Sequence, residues 1–148
     1  MMINKDSGCI TFPEAGAFIS PALSRSKFLQ DAAFSGALMK VCNEPWCSFR
    51  LQDIPQSNTK LGIVLQFQGE HLISLTLFHD AARFGTSWAD WSEERELSRK
   101  AFHDLWLSRD LCVPAGKYSW GDVSSSYDAK SGSSSITIRY STAMSDLS

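Results

Sequence analysis

No stretch of this chain stays apolar over the roughly 20 residues a membrane-spanning helix requires, so no membrane span is expected. The N-terminus, MMINKDSGCITF, has no apolar core ahead of a small-residue cleavage site, and no apolar run precedes Cys9 as it would a lipoprotein cysteine. The resulting expectation is a cytoplasmic protein whose four cysteines, Cys9, Cys42, Cys47 and Cys112, are free thiols acting as small hydrophobes. An excess of basic charge is missing too. With 14 Lys and Arg against 16 Asp and Glu the formal charge is −2, which argues against a nucleic-acid partner.

The glycines form neither GxGxxG nor GxxxxGK[ST], so no dinucleotide or phosphate cradle is indicated. No GxSxG nucleophile elbow occurs. Histidine is scarce: His71, His79 and His103 are the only three. His71 and His79 share strand parity but stand more than about 20 Å apart in a straight strand. Cys42 and Cys47 have CxxxxC spacing without a second pair to complete a zinc site; they read as strand residues flanking a turn. Neither a metal nor another cofactor is expected.

What is present is ordinary globular composition, 43% hydrophobic and 20% charged, which excludes a disordered or fibrous chain. A length of 148 residues suits one domain, large enough to bury a core without staples. The expected layout is one α+β domain over 1–148, with 1–12 and 142–148 loosely ordered. Phe18 and Ile19 before Pro21 suggest a short edge strand. SRSKFLQDAAF, with Ser24 and Ser26 as capping candidates and Gly36 beyond it, suggests a short N-terminal helix.

From Ala37 to Phe78 the pattern is strand. ALMKVC and WCSFRLQ flank the polar turn Asn43-Glu44-Pro45. LGIVLQF and HLISLTLF put Leu61, Ile63, Leu65, Phe67, Ile73, Leu75 and Leu77 at period two around Gln68-Gly69-Glu70, a hairpin signal. A second hairpin turns at Asp128-Ala129-Lys130-Ser131-Gly132 and returns through Ile136, Ile138 and Tyr140. Short turns between strands imply antiparallel pairing. The fold class is thus α+β: a mainly antiparallel sheet of about six to seven strands, packed by one long amphipathic helix over about 90–110.

That helix is WADWSEERELSRKAFHDLWLSRDL. Asp90 and Glu93 fit a capping box, Glu93, Glu94 and Glu96 crowd the first turns, and Pro114 and Gly116 lie past the end. At 100° per residue, Trp91, Leu97, Ala101, Phe102, Leu105 and Trp106 share about half the circumference. This stripe is expected to face the sheet. His103 and Asp104 fall on the opposite, polar arc, which predicts a solvated surface for them.

Glu94 and Ser98 fall inside the stripe. A carboxylate there would have a raised pKa and could serve as a general acid or base; the plainer reading pairs Glu94 with Arg139 or Arg50 to anchor the helix. The dipeptides His79-Asp80 and His103-Asp104 supply the other groups of a small hydrolase-type site, should all of these converge. Five tryptophans complete the picture. Trp91, Trp106 and Trp120 suit a helix–sheet core, whereas Trp46 beside a turn and Trp88 before the helix suit exposure.

The phrases WADWSEERELSRKAFHDLWL, YSWGDVSSSYDAKSG and SITIRY resemble small bacterial proteins of the immunity kind, over about a third of the chain. The resemblance implies a small cytoplasmic protein encoded beside a toxin and neutralising it by direct binding, and it assigns no residue. The expected function is therefore a non-catalytic protein-binding module with a cognate toxin as partner. Contacts are expected in the turns and helix approach: Glu44, Trp46, Glu70, Trp88, Asp122 and Asp128. The rivals are the hydrolase built on His79, Asp80, His103 and Glu94, and a structural or chaperone-like subunit pairing through an exposed sheet edge.

Overall fold

The computed structural model describes residues 1–56, 59–85 and 87–141. The tail 142–148, expected to fray, lies outside the described residues.

Alternating apolar residues make the strands that form the centre of the main sheet, β7 (Thr59–Gln68) and β8 (His71–Asp80). Leu61, Ile63, Leu65, Phe67, Leu75 and Leu77 are fully buried on one face, while Gln66, Ser74 and Thr76 share the other. Gly69 takes the left-handed turn position between the strands (φ 59°). Five further strands extend this pair: β4 (Leu38–Asn43), β5 (Trp46–Arg50), β9 (Gly116–Tyr118), β10 (Gly121–Asp128) and β11 (Ser133–Tyr140). The order is β4-β5-β7-β8-β11-β10-β9, and short β6 (Ile54–Gln56) pairs with β7 beside this path. Every described pair is antiparallel. The architecture is α+β, as the pattern predicts.

β4 is an outer strand, and its side chains are open on both faces: Leu38 is 70% exposed, Met39 and Val41 more than half. The register skips Lys40, which bulges between the pairs Met39↔Phe49 and Val41↔Ser48.

The first dozen residues are not loose. β1 (Met2–Ile3), β2 (Ile10–Phe12) and β3 (Ala17–Ile19) form a second, three-stranded sheet. Ile10, Phe12 and Ile19 are buried in the core shared with the main sheet. Two long-range bonds hold the intervening loop: Trp120 Nε1 donates to the Lys5 carbonyl at 2.7 Å and the Tyr140 hydroxyl to the Gly8 carbonyl at 2.8 Å. Helix α1 (Arg25–Gln30), capped by the Ser24 hydroxyl, packs Phe28 against Phe34, Phe49 and Phe67.

The long helix is α2 (Glu93–Leu105), continued by a wider π-helical turn through Asp110. Its cap is Ser92, which accepts from Arg95 N; Asp90, expected to cap it, instead completes a capping box with Ser87 on the preceding 3-10 turn, Trp88–Asp90. The larger correction concerns its face. Glu96, Arg99, His103 and Trp106 point inward, whereas Leu97 (46% exposed), Ala101 and Leu105 (50% exposed) point outward and Trp91 stays partly open.

The cause lies in the sheet. β8 and β11 are paired only as far as Leu77↔Ile136, after which they part. The backbone N–H groups freed there need acceptors, and α2 supplies them. His79 N–H donates to His103 Nε2 at 3.1 Å, and Ser134 N–H donates to Glu96 Oε1 at 2.9 Å. An apolar stripe has no acceptor to offer.

Candidate functional site

Cys42 and Cys47 are not free. The β4–β5 hairpin sets them directly opposite, Cα atoms 4.1 Å apart, and they form a disulfide; Cys9 and Cys112 remain thiols. Together with Glu44 their donor atoms lie within 4.8 Å of one another, the one such metal-capable trio among the described residues. The disulfide uses both sulfurs, and the Arg25 guanidinium lies 3.0 Å from both Cys47 Sγ and Glu44 Oε1. A cation already occupies the place a metal would take.

The expected contact residues divide between the two ends of the main sheet. At one end the β4–β5 and β7–β8 turns meet, with Gly69 N–H donating to the Pro45 carbonyl at 2.7 Å. Arg25 ties Glu44 (3.0 Å) to Glu70 (3.7 Å), and Ser26 donates to Glu70, holding its carboxyl below the ordinary value. Trp46 stands partly exposed on the same end. Asp122 is the second residue of β10 and faces Arg139 at 3.6 Å. Asp128 builds the opposite turn, its carboxylate accepting from Lys130 N and its carbonyl from Gly132 N. Each of the four acids therefore has a partner within the fold. Trp88 is different: at 77% it is the most exposed large hydrophobic residue among those described.

Trp88 belongs to a cleft at the end where β8 and β11 part. The cleft has a volume of about 310 Å³ and is walled by Phe78, Asp80, Phe84, Trp91, Glu96 and Arg99, with Gly132 and its serine neighbours closing one side. Trp88 and Trp91 have ring centroids 6.0 Å apart and planes inclined by 43°. Trp91 Nε1 donates to the Gly132 carbonyl at 2.6 Å. A Cβ on Gly132 would lie 3.0 Å from that indole, and its φ of 66° also favours glycine. At the base, Arg99 meets Glu96 at 3.1 Å and donates to the Gly85 carbonyl at 2.7 Å. The Asp80 carboxylate forms no hydrogen bond or ion pair among the described residues; Lys60 stands opposite it in the β7–β8 register.

The hydrolase groups converge only in part. His79 and His103 lie with ring centroids 5.3 Å apart, but His103 is not solvated as predicted: both rings are buried, with Phe102 and Trp106 packed edge-on against His79. Burial, and then neighbouring cationic groups, lowers the His79 pKa to about 4 and the His103 pKa to about 3. They are neutral imidazoles at pH 7, and the cleft does not reach them. Glu94 is exposed and forms no ion pair among the described residues; Arg50 pairs with Asp53 and Arg139 with Asp122. Ser98 is exposed as well. The inward carboxylate is Glu96.

The residue pattern alone misses the cleft because its walls come from four separate segments. Of its residues the sequence singles out Trp88, as an exposed contact, and Asp80, as a group of the rival hydrolase.

No protein-family model matches the sequence, and no curated protein matches it. Among solved structures the chain is similar to one in the complex of Rhs1-CT with its cognate immunity protein RhsI1, with a TM-score of 0.62 and 14% identity. The match covers 97% of this chain and 88% of that one. The likeness is one of fold, and it spans nearly the whole chain.

Proposed function

We propose that this protein is a non-catalytic binding protein of the immunity type, which neutralises a toxin by direct contact. The observation that carries this reading is the whole-length fold likeness to a chain of the Rhs1-CT–RhsI1 complex. The state of the histidines supports it: His79 and His103 serve the interior as neutral groups, and Glu94 stands away from them on the outer face of α2. Glu44, Trp46, Glu70, Asp122 and Asp128 are retained as contacts at the sheet ends, and Trp88 as the most accessible of the set.

The test is to co-express the chain with the product of the adjacent gene. The expected result is a stable complex on co-purification and survival of cells that the neighbouring product otherwise kills. Absence of both outcomes would remove the reading.

A further inference from the structure

The cleft between Asp80, Trp88 and Trp91 holds one carboxylate that forms no ion pair among the described residues, although Lys60 stands opposite Asp80 in the β7–β8 register. Glu96 and Arg99 neutralise each other at its base, and Arg99 also donates to the Gly85 carbonyl. That leaves the Asp80 carboxylate, partly buried and without a hydrogen bond or ion pair among the described residues. Covering this carboxylate with an apolar group would cost several kcal/mol of desolvation, of order 2 or more; covering it with a cation would recover that.

The walls point the same way. The Trp88 and Trp91 indoles line the cleft together with the carboxylate, and ring faces attract ammonium and guanidinium groups while accepting the alkyl stem behind them. The Phe78 and Phe84 rings already carry Arg50 at 4.8 Å and Arg83 at 4.7 Å, which leaves the indoles as the free aromatic walls. The volume of about 310 Å³ is at the lower limit of small-ligand sites, roughly 300 Å³, which suits one side chain better than a cofactor.

The platform is also braced by contacts within the fold. Trp88 sits on a 3-10 turn closed by the Ser87–Asp90 capping box, and Arg95 donates to the Asp90 carbonyl at 3.0 Å. Trp91 is fixed by its bond to Gly132. Holding a large apolar side chain 77% exposed on a braced turn lowers the ordering cost of whatever docks there.

We propose that this cleft seats a single lysine or arginine side chain of the protein partner, with Asp80 as its counter-ion and Trp88 and Trp91 as its aromatic walls. The proposal rests on the binding-protein reading above and deepens it by naming the chemistry of the partner's anchor.

The test has two arms. In the first, the purified full chain is titrated with N-acetyl-arginine amide, with N-acetyl-glutamine amide and N-acetyl-glutamate amide as controls, up to about 10 mM, while the tryptophan indole N–H resonances are followed by NMR. Shifts at Trp88 and Trp91 caused by the arginine probe alone, and lost in Asp80→Asn, support the proposal. No shift, or equal shifts from all three probes, overturns it. In the second arm, affinity for the adjacent-gene toxin is measured for wild type, Trp88→Ala, Asp80→Lys and Trp46→Ala, each checked for native circular dichroism. The cleft variants are expected to weaken binding at least tenfold, Asp80→Lys most and Trp46→Ala least. Wild-type binding that all variants share would overturn the cleft but keep the binding function; failure of the wild type to bind would remove the function, leaving the first arm to decide the cleft.

Discussion

His79 and His103 lie side by side in the interior as neutral imidazoles, and this makes the fold sensitive to acid. Their folded pKa values, about 4 and about 3, lie below the unfolded value near 6.5. Below pH 6.5 the unfolded chain takes up protons that the native state refuses, so stability falls as pH falls, until the folded pKa values are reached. The loss is about 1.4 kcal/mol per pH unit for each histidine, or about 2 kcal/mol apiece by pH 5. Urea unfolding at pH 7 and pH 5 checks this; equal midpoints would show that the two rings are not buried neutral. A second pair of residues separates the inward carboxylate from its neighbour. Glu96→Ala leaves the Arg99 guanidinium buried without its counter-ion and Ser134 N–H without its acceptor, and is expected to cost about 3–5 kcal/mol. Glu94→Ala, on the exposed side, should change stability by less than about 0.5 kcal/mol. Comparable effects in denaturant melts would contradict the orientation of the helix.

At the scale of the element, α2 lies with its leucines outward. Leu97→Lys and Leu105→Lys are expected to change stability by no more than about 0.5 kcal/mol, the size of an ordinary surface substitution. Had the apolar stripe faced the sheet, each would cost several kcal/mol, so thermal melts of the two variants decide between the faces. The helix itself was legible from its acidic start, its periodicity and the Pro114 and Gly116 that follow. Its inward face was not. Periodicity ranks faces by apolar content, and that ranking fails where the surface being covered presents unpaired backbone groups. The parting of β8 and β11 is a tertiary event, and no local pattern around Ser134 or His79 announces it. By contrast the β7–β8 and β10–β11 hairpins were read correctly, because alternation and turn chemistry are both local.

For the whole molecule, the N-terminal sheet shows the same division. Isolated apolar residues such as Ile3, Ile10 and Phe12 look like loose chain until partners 115 and 132 residues along from this loop are known. Trp120 and Tyr140, through their bonds to Lys5 and Gly8, are those partners. The cleft was equally out of reach of the sequence, since Asp80, Trp88, Arg99 and Gly132 meet only once the helix has docked. The fold likeness at 14% identity shows how much of such an architecture can persist while side chains change.

The open outer strand β4 has a consequence for the behaviour of the protein in concentrated solution. A row of unpaired backbone groups flanked by Leu38, Met39 and Val41 is a template onto which another chain can grow, the first step of fibrillar aggregation. Lys40 interrupts that row at the bulge, where its charge and the local distortion make in-register stacking unfavourable. It acts as a gatekeeper. Lys40→Val should aggregate faster on agitation, followed by light scattering and thioflavin fluorescence, with the folded stability little changed. If the variant remains as soluble as the wild type, the protection lies elsewhere along that edge.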